Sequence, residues 1–143
     1  MDTNAVLNRL LVLHHRSLLM YLGYAAPWIQ RQQEAARETV RMIIDDQKRT
    51  VDKLGQSIIA TGGEVNYGEF PIAFTALHDL SFDYLLVRLI QAQRATVDEI
   101  DNLVYRLQGA PMAQAAAQES LGQAKAHLEA LEELTRQPVA SEG

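Results

Sequence analysis

The sequence predicts an all-α protein, a bundle of four antiparallel helices with a long crossover between helices 2 and 3. Three observations support this prediction. The 143 residues include no cysteine, yet the chain is long enough to bury a core without disulfides or metals. Apolar residues recur at helical spacing in four segments. The few prolines and glycines gather between those segments, where helices are expected to end.

The first predicted helix spans residues 4–25. Its inward face carries Leu7, Leu10, Leu11, His14, Leu18, Tyr21 and Ala25. Further apolar residues lie on its other sides, namely Val12, Leu13, Leu19 and Met20. A helix that is apolar on more than one side usually meets a second surface. We therefore expect a homo-oligomer, a dimer or larger.

The second predicted helix spans residues 30–60. Its inward positions are Val40, Ile43, Gln47, Val51, Leu54 and Ile58, so Gln47 is a polar residue on a core face. The pair Gly62 and Gly63 follows directly. A glycine there can adopt the positive φ that commonly closes a helix, which predicts the end of this helix.

The third predicted helix spans residues 81–108, with Ser81 as its N-cap and Gln93 on its inward face. The fourth spans residues 112–136 and carries Ala124 inward, with His127 beside the apolar stripe. Helices 1 and 2, and helices 3 and 4, are joined by short connections and should form antiparallel hairpins. The connection at residues 62–80 is long enough to run along the bundle, and its apolar residues can pack as it does so.

Charge and hydropathy argue against two classes of partner. The net charge is −5 with both signs interspersed, which opposes the basic face that nucleic acids or anionic membranes require. Charged residues and histidines interrupt the first apolar run before it reaches membrane-spanning length, and no signal peptide is evident. We expect a cytoplasmic protein with one domain at residues 1–137 and a flexible C-terminal tail at 138–143.

Three stretches resemble the ferritin-like superfamily of the bacterioferritin and rubrerythrin type. They are LNRLL at residues 7–11, TVDKLGQSIIATGG at 50–63 and AHLEALEEL at 126–134. The resemblance covers roughly residues 4–136 and implies the ferritin-like bundle with its single long crossover. In members with a di-iron site, two helices each supply a Glu and the other two each supply a Glu-x-x-His motif.

The resemblance places none of those carboxylates in this chain. His14 falls at the position of the first Glu, and Gln93 at that of the third-helix Glu. Gln47 and Thr50 stand for the Glu and His of the second helix, and Ala124 and His127 for those of the fourth. Two iron ions need several carboxylates to neutralise and bridge them. The metal site is therefore predicted to be degenerate, and to be replaced by a polar core cluster of His14, Gln47, Thr50, Gln93 and His127.

A one-residue shift of the second helix would change this alignment. It would place Asp46 and Arg49 in the motif but would also turn Lys53 inward in place of Leu54, so the apolar periodicity favours Gln47. Asp45 and Asp46 are then interpreted as a solvated acidic face with basic neighbours.

The two histidines leave two hypotheses open. In the first, His14 is a buried neutral imidazole hydrogen-bonded to Gln93 or Gln47, no cofactor binds, and the protein is a non-enzymatic binding or structural module. In the second, His14 and His127 converge on one divalent transition metal, with zinc or copper the best suited. The protein would then be a metal-binding oxidoreductase or an iron-storage-type protein with an atypical site.

Overall fold

A computed structural model describes residues 3–24, 34–77 and 81–136, and every regular element in these ranges is helical. The α-helices are α1 (Thr3–His15), α2 (Leu18–Tyr24), α3 (Glu34–Ala60), α4 (Phe82–Arg106) and α5 (Pro111–Arg136). A short 3-10 helix at Ile72–Ala76 lies between α3 and α4. The all-α prediction is confirmed. The predicted tail at 138–143 and the predicted first residues of the second helix, 30–33, lie outside the described residues.

The first predicted helix is in fact two helices, so the prediction of one helix over residues 4–25 is wrong at Arg16 and Ser17. The Oγ of Ser17 accepts a hydrogen bond from the N–H of Met20 at 3.0 Å, which makes Ser17 the N-cap of α2. A serine that bonds the backbone in this way competes with the helical ladder. The apolar pattern continues across the break and therefore did not reveal it.

Hydrogen bonds between helices establish their relative directions. The hydroxyl of Thr61, just after α3, donates to Oδ1 of Asn4 at the start of α1, so α1 and α3 are antiparallel. The side chain of Gln114 near the start of α5 donates to the carbonyl of Val104 near the end of α4, so these two helices are also antiparallel.

Contacts between α3 and α5 complete the arrangement. Thr50 meets Gln123, and further along α3 Lys53 meets Glu119 earlier in α5, so this pair is antiparallel too. Since α3 and α4 are both antiparallel to α5, they run in the same direction. The connection between them must therefore return along the bundle, as the length of that segment predicted.

The first half of this connection packs on α1. The side chain of Asn8 bonds both the N–H and the carbonyl of Asn66, at 2.8 and 2.9 Å. The ring of His15 lies against Tyr67, with 5.2 Å between ring centroids. Val12 contacts the backbone at Gly68, where an added Cβ would come within 3.0 Å of it. The outer side of α1 is thus covered by the chain itself.

Arg16, at the break between α1 and α2, holds the second half of the connection. Its Nε donates to the carbonyls of Tyr67 and Gly68 at 3.1 Å, and its guanidinium lies 4.7 Å from the centroid of the Phe70 ring. Phe70 and Phe74 in turn pack on Tyr21 of α2. The second apolar side of the first segment, which suggested an oligomer, therefore has a partner within the same chain.

The apolar core has two parts. One lies around α2, the starts of α3 and α4 and the end of α5, and includes Leu22, Ile43, Leu85 and Leu131. The other lies around α1, the ends of α3 and α4 and the start of α5, and includes Leu10, Ile58, Ile100 and Ala117. Buried polar side chains lie between the two parts along the helices.

Two helix boundaries were predicted from capping residues, the end of α3 at Gly62 and Gly63 and the start of α4 at Ser81, and both are confirmed. Gly62 has φ +82, its N–H bonds the carbonyl of Ile59, and the N–H of Gly63 bonds the carbonyl of Ile58, which is the hydrogen-bond pattern of a Schellman motif. Ser81 caps α4, since its side chain accepts a hydrogen bond from the N–H of Tyr84.

Two glycine substitutions should change stability in opposite directions. Gly122→Ala, in the exposed middle of α5 with free space around it, should raise the free energy of unfolding by about 1 kcal/mol through helix propensity. Gly62→Ala also meets no neighbouring atom, but it places a Cβ at positive φ and should lower that free energy by about 1 kcal/mol. Urea denaturation measures both, and equal signs would contradict the assigned backbone conformation.

Candidate functional site

Six buried polar side chains of the described residues form a layer across the middle of the molecule, which we call the polar layer. They are His14, Gln47, Thr50, Gln93, Ser120 and His127. All of them except Ser120 were predicted from the sequence as the polar core cluster. Ser120 lies one turn before Ala124 and two turns before His127, so the helical spacing that identified Gln47 and Gln93 could also have identified it.

His14 is bound differently from the prediction. Its Nε2 lies 2.6 Å from the Oγ of Ser120, in a hydrogen bond that either group can donate. The prediction that Gln93 or Gln47 would form a hydrogen bond with His14 is therefore wrong for Nε2, whose partner is Ser120. The physical reason is helix direction: α1 and α5 run side by side in the same sense, which brings the inward face of α5 to the last turn of α1.

Gln47 lies inward, as the favoured register of α3 predicted, and its Oε1 accepts a hydrogen bond from the hydroxyl of Ser17 at 3.1 Å. The polar layer thereby bonds the residue that caps α2. The break in the first helical segment and the polar layer are parts of one arrangement.

Thr50 and Gln93 connect the layer to α5. Thr50 donates its hydroxyl hydrogen to Oε1 of Gln123 at 2.5 Å. Gln93 donates from Nε2 to the backbone carbonyl of Ala124 at 2.9 Å, next to the fully buried alanine side chain. A glutamine of α4 thus supplies the polar group beside the position where the ferritin-like pattern has a fourth-helix Glu.

His127 pairs with a carboxylate that the sequence analysis assigned to the solvated face. Its Nε2 lies 2.9 Å from Oδ2 of Asp46, and the Asp46 side chain is only 25% exposed. Asp46 also forms an ion pair with Arg49. The interpretation of Asp46 as part of a solvated face with basic neighbours is thus incomplete: the ion pair with Arg49 was predicted, but the carboxylate also reaches His127 at the edge of the layer.

The second nitrogen of His127 has no hydrogen-bond partner among the described residues. Because a carboxylate only accepts hydrogen bonds, Nε2 carries the hydrogen toward Asp46, and whenever the ring is neutral Nδ1 bears the lone pair. That Nδ1 is buried and makes no hydrogen bond within the described part of the chain. It is the one orphaned buried side-chain atom in those ranges, and it could accept a hydrogen bond or bind a cation.

Burial controls the charge of His14. Its side chain is 1% exposed, and desolvation, with a smaller contribution from nearby His127, lowers its pKa from 6.5 to about 4. His14 is therefore neutral at pH 7.

The metal-binding capacity of this arrangement is small. Within residues 3–24, 34–77 and 81–136, no three histidine, cysteine, aspartate or glutamate side chains gather as a set that could hold an ion. The layer offers two imidazoles, and Asp46 is engaged by His127 and Arg49. Binding of a cation would therefore begin at Nδ1 of His127 and would need donors other than buried carboxylates.

No helix in the described ranges has the length and hydropathy needed to cross a membrane. Searches of protein-family profiles, curated proteins and solved structures find no match to this chain.

The buried neutral state of His14 predicts a pH-dependent stability. Between pH 6.5 and about 4 the unfolded chain binds a proton at His14 and the folded chain does not, so the free energy of unfolding falls as the pH drops. This contribution is complete above pH 6.5, is lost as the pH approaches 4, and amounts to about 3 kcal/mol at most. His14→Gln should lose less stability than the parent over this interval, as measured by urea denaturation at several pH values.

The neighbouring substitution His15→Gln provides the control, because the ring of His15 lies on the surface side, against Tyr67. It should keep most of the parent's pH dependence. If His14→Gln and the parent responded identically to acid, His14 would not be buried and neutral.

Proposed function

We propose that this chain is a ferritin-like bundle in which a neutral polar layer occupies the position of the di-iron centre, and that it serves as a non-enzymatic binding or structural module. One observation carries the proposal. The six side chains of the polar layer bond to one another, to neighbouring polar side chains or to backbone carbonyls, and none of the six is a carboxylate.

Electrostatics supports this choice over iron chemistry. A pair of bridged iron ions carries at least four positive charges, which a buried site must offset with carboxylates. The polar layer supplies amides, hydroxyls and imidazoles, with Asp46 alone at its edge. The directions of α1, α3, α4 and α5 and the long connection between α3 and α4 agree with the ferritin-like topology, which supports that part of the proposal.

A second candidate function rests on His127. Histidines that bind metals usually donate their other ring hydrogen to a carboxylate or carbonyl, and His127 does so toward Asp46 while its Nδ1 makes no hydrogen bond within the described residues. His14 belongs to the same polar layer and interacts electrostatically with His127. Together they could hold one zinc or copper ion, in a metal-binding oxidoreductase or an iron-storage-type protein with an atypical site.

Elemental analysis after dialysis against zinc, copper or iron(II) distinguishes these functions. We expect less than stoichiometric metal in the parent, because two buried imidazoles form a weak site. If the parent retains one ion per chain, if a His14→Ala, His127→Ala double variant loses it, and if His15→Ala keeps it, the second function replaces the first.

Iron oxidation provides an independent measurement with the same purified protein. The parent should oxidise iron(II) no faster than a protein-free control. Gln93→Leu should change the free energy of unfolding without changing that rate, because it removes a bond to the Ala124 carbonyl and touches no redox centre. Faster oxidation by the parent would contradict a non-enzymatic role.

Self-association is a further part of the proposal, now supported by a different surface. The outer side of α1 and α2 is covered by the crossover, but α4 exposes Tyr84 and Val87 one turn apart, 48% and 51% accessible. We expect light scattering at micromolar concentration to give at least twice the chain mass of 16.0 kDa. A monomer would remove self-association from the proposal.

We also propose that the protein is cytoplasmic. The net charge of −5 argues against binding to nucleic acids or anionic membranes.

A further inference from the structure

A groove lies at the end of the molecule where α1 and α5 begin and α3 ends. It encloses about 690 Å³, within the range of roughly 300 to 1,000 Å³ that is usual for small-molecule sites. Its walls include Leu7, Ala60 and Ala113, and the small alanines leave the space open. Met112 also lines the groove and is 89% exposed, more than any other large apolar side chain in the described ranges.

The described residues that line this groove are uncharged. Among the described residues that form it, the polar ones carry hydroxyl or amide groups, as Thr3, Asn4, Ser57 and Thr61 do, and none is Asp, Glu, Lys or Arg. An ionic ligand would lose hydration without gaining a counter-charge. The chemistry of the walls therefore selects a neutral molecule that is mostly apolar.

A smaller cavity of about 100 Å³ continues between α3 and α5 toward the polar layer. It shares Ser57 and Ala116 with the groove, so the two spaces lie next to each other. Ser120 and Gln123 line it as well; Ser120 is the residue that bonds His14, and Gln123 the one that bonds Thr50. Lys53 and Glu119 also line it, and because they form an ion pair at 3.4 Å their charges offset each other. A molecule in the groove could thus extend a polar end toward the layer.

We propose that the groove and this cavity form one binding site for a neutral, elongated and mostly apolar small molecule with a hydroxyl or carbonyl group at one end. The apolar body lies against Leu7 and Met112, and the polar end reaches the hydroxyl and amide groups near Ser120 and Gln123. This specifies the binding role proposed above and rests on it, but it does not depend on whether the polar layer binds a metal. The elemental analysis for metal and the probe-binding experiment can therefore give opposite results, and each result bears on its own proposal.

Two fluorescent probes with the same aromatic ring system and different charge test the site. The neutral probe is N-phenyl-1-naphthylamine, and the anionic one is 8-anilino-1-naphthalenesulfonate. The neutral probe should bind saturably with one molecule per chain, and the anion should bind at least about tenfold more weakly, because the described groove lining is uncharged and Lys53 beside the smaller cavity is already paired with Glu119. Equal affinity for both probes would overturn the proposal.

A pair of adjacent substitutions on α3 locates the binding. Ser57→Phe places an aromatic ring on the wall that both cavities share, whereas Gln56→Phe adds the same ring to an exposed position that lines neither. Ser57→Phe should weaken binding of the neutral probe at least about tenfold by filling the space it needs. Gln56→Phe should leave binding within about twofold of the parent, since surface substitutions away from a site have small effects.

A second pair on α5 keeps the test decisive if Ser57→Phe fails to fold. Met112→Glu introduces a charge at an exposed position of the groove, and Gln118→Glu introduces one on the exposed face outside it. Only Met112→Glu should weaken binding of the neutral probe. Equal effects within both pairs would place the probe elsewhere. Binding that falls as the protein concentration rises would mean that a second copy of the chain covers the groove; either result overturns the proposal.

Discussion

Among the residues that the structure describes, six polar side chains are buried in the middle of the bundle, and the need to satisfy their hydrogen bonds constrains how the helices can pack. A buried polar group without a partner costs on the order of 1 to 3 kcal/mol, a large share of the stability of a small domain. The bonds from His14 to Ser120, from Thr50 to Gln123 and from Gln93 to the Ala124 carbonyl all end on α5. Sliding α5 by one residue would break all three.

The same constraint extends to the surface through Ser17. Its hydroxyl hydrogen goes to Gln47, and its oxygen accepts from the backbone of Met20, so one side chain both caps α2 and satisfies the polar layer. After the break at Ser17, the first turn of α2 packs on the crossover, where Tyr21 contacts Phe70 and Phe74. Arg16 at the break then binds the crossover through two carbonyls and the face of Phe70. A polar group in the core is in this way linked to the path of a surface segment.

Helical periodicity in the sequence predicted which residues face inward, but it could not predict which groups form hydrogen bonds with each other. Apolar spacing was enough to place Gln47 and Gln93 inward, because a wrong register would expose several apolar residues at once. It could not identify the partner of His14, because that depends on which helices are neighbours and in which direction they run. It also missed Asp46, because a position at the edge of an inward face counts as exposed by spacing but can still reach a buried ring. The break at Ser17 was hidden for a similar reason, since the apolar positions continue on both sides of it.

The unpaired nitrogen of His127 separates two views of the polar layer. If the layer served packing alone, each of its atoms would be expected to find a partner, as nearly all buried polar atoms do in folded proteins. Five of its side chains are bonded through at least one atom, and His127 is bonded at Nε2, yet Nδ1 is left without a partner inside the described chain. The bond to Asp46 orients the ring so that Nδ1 stays buried. The energetic cost is that of an unpaired buried polar atom, and for a neutral ring a cation or a hydrogen-bond donor from outside the chain would remove it. Within the described residues, the buried side-chain atoms of the polar layer are therefore hydrogen-bonded except for Nδ1 of His127. That nitrogen is the atom through which the layer could also bind a ligand.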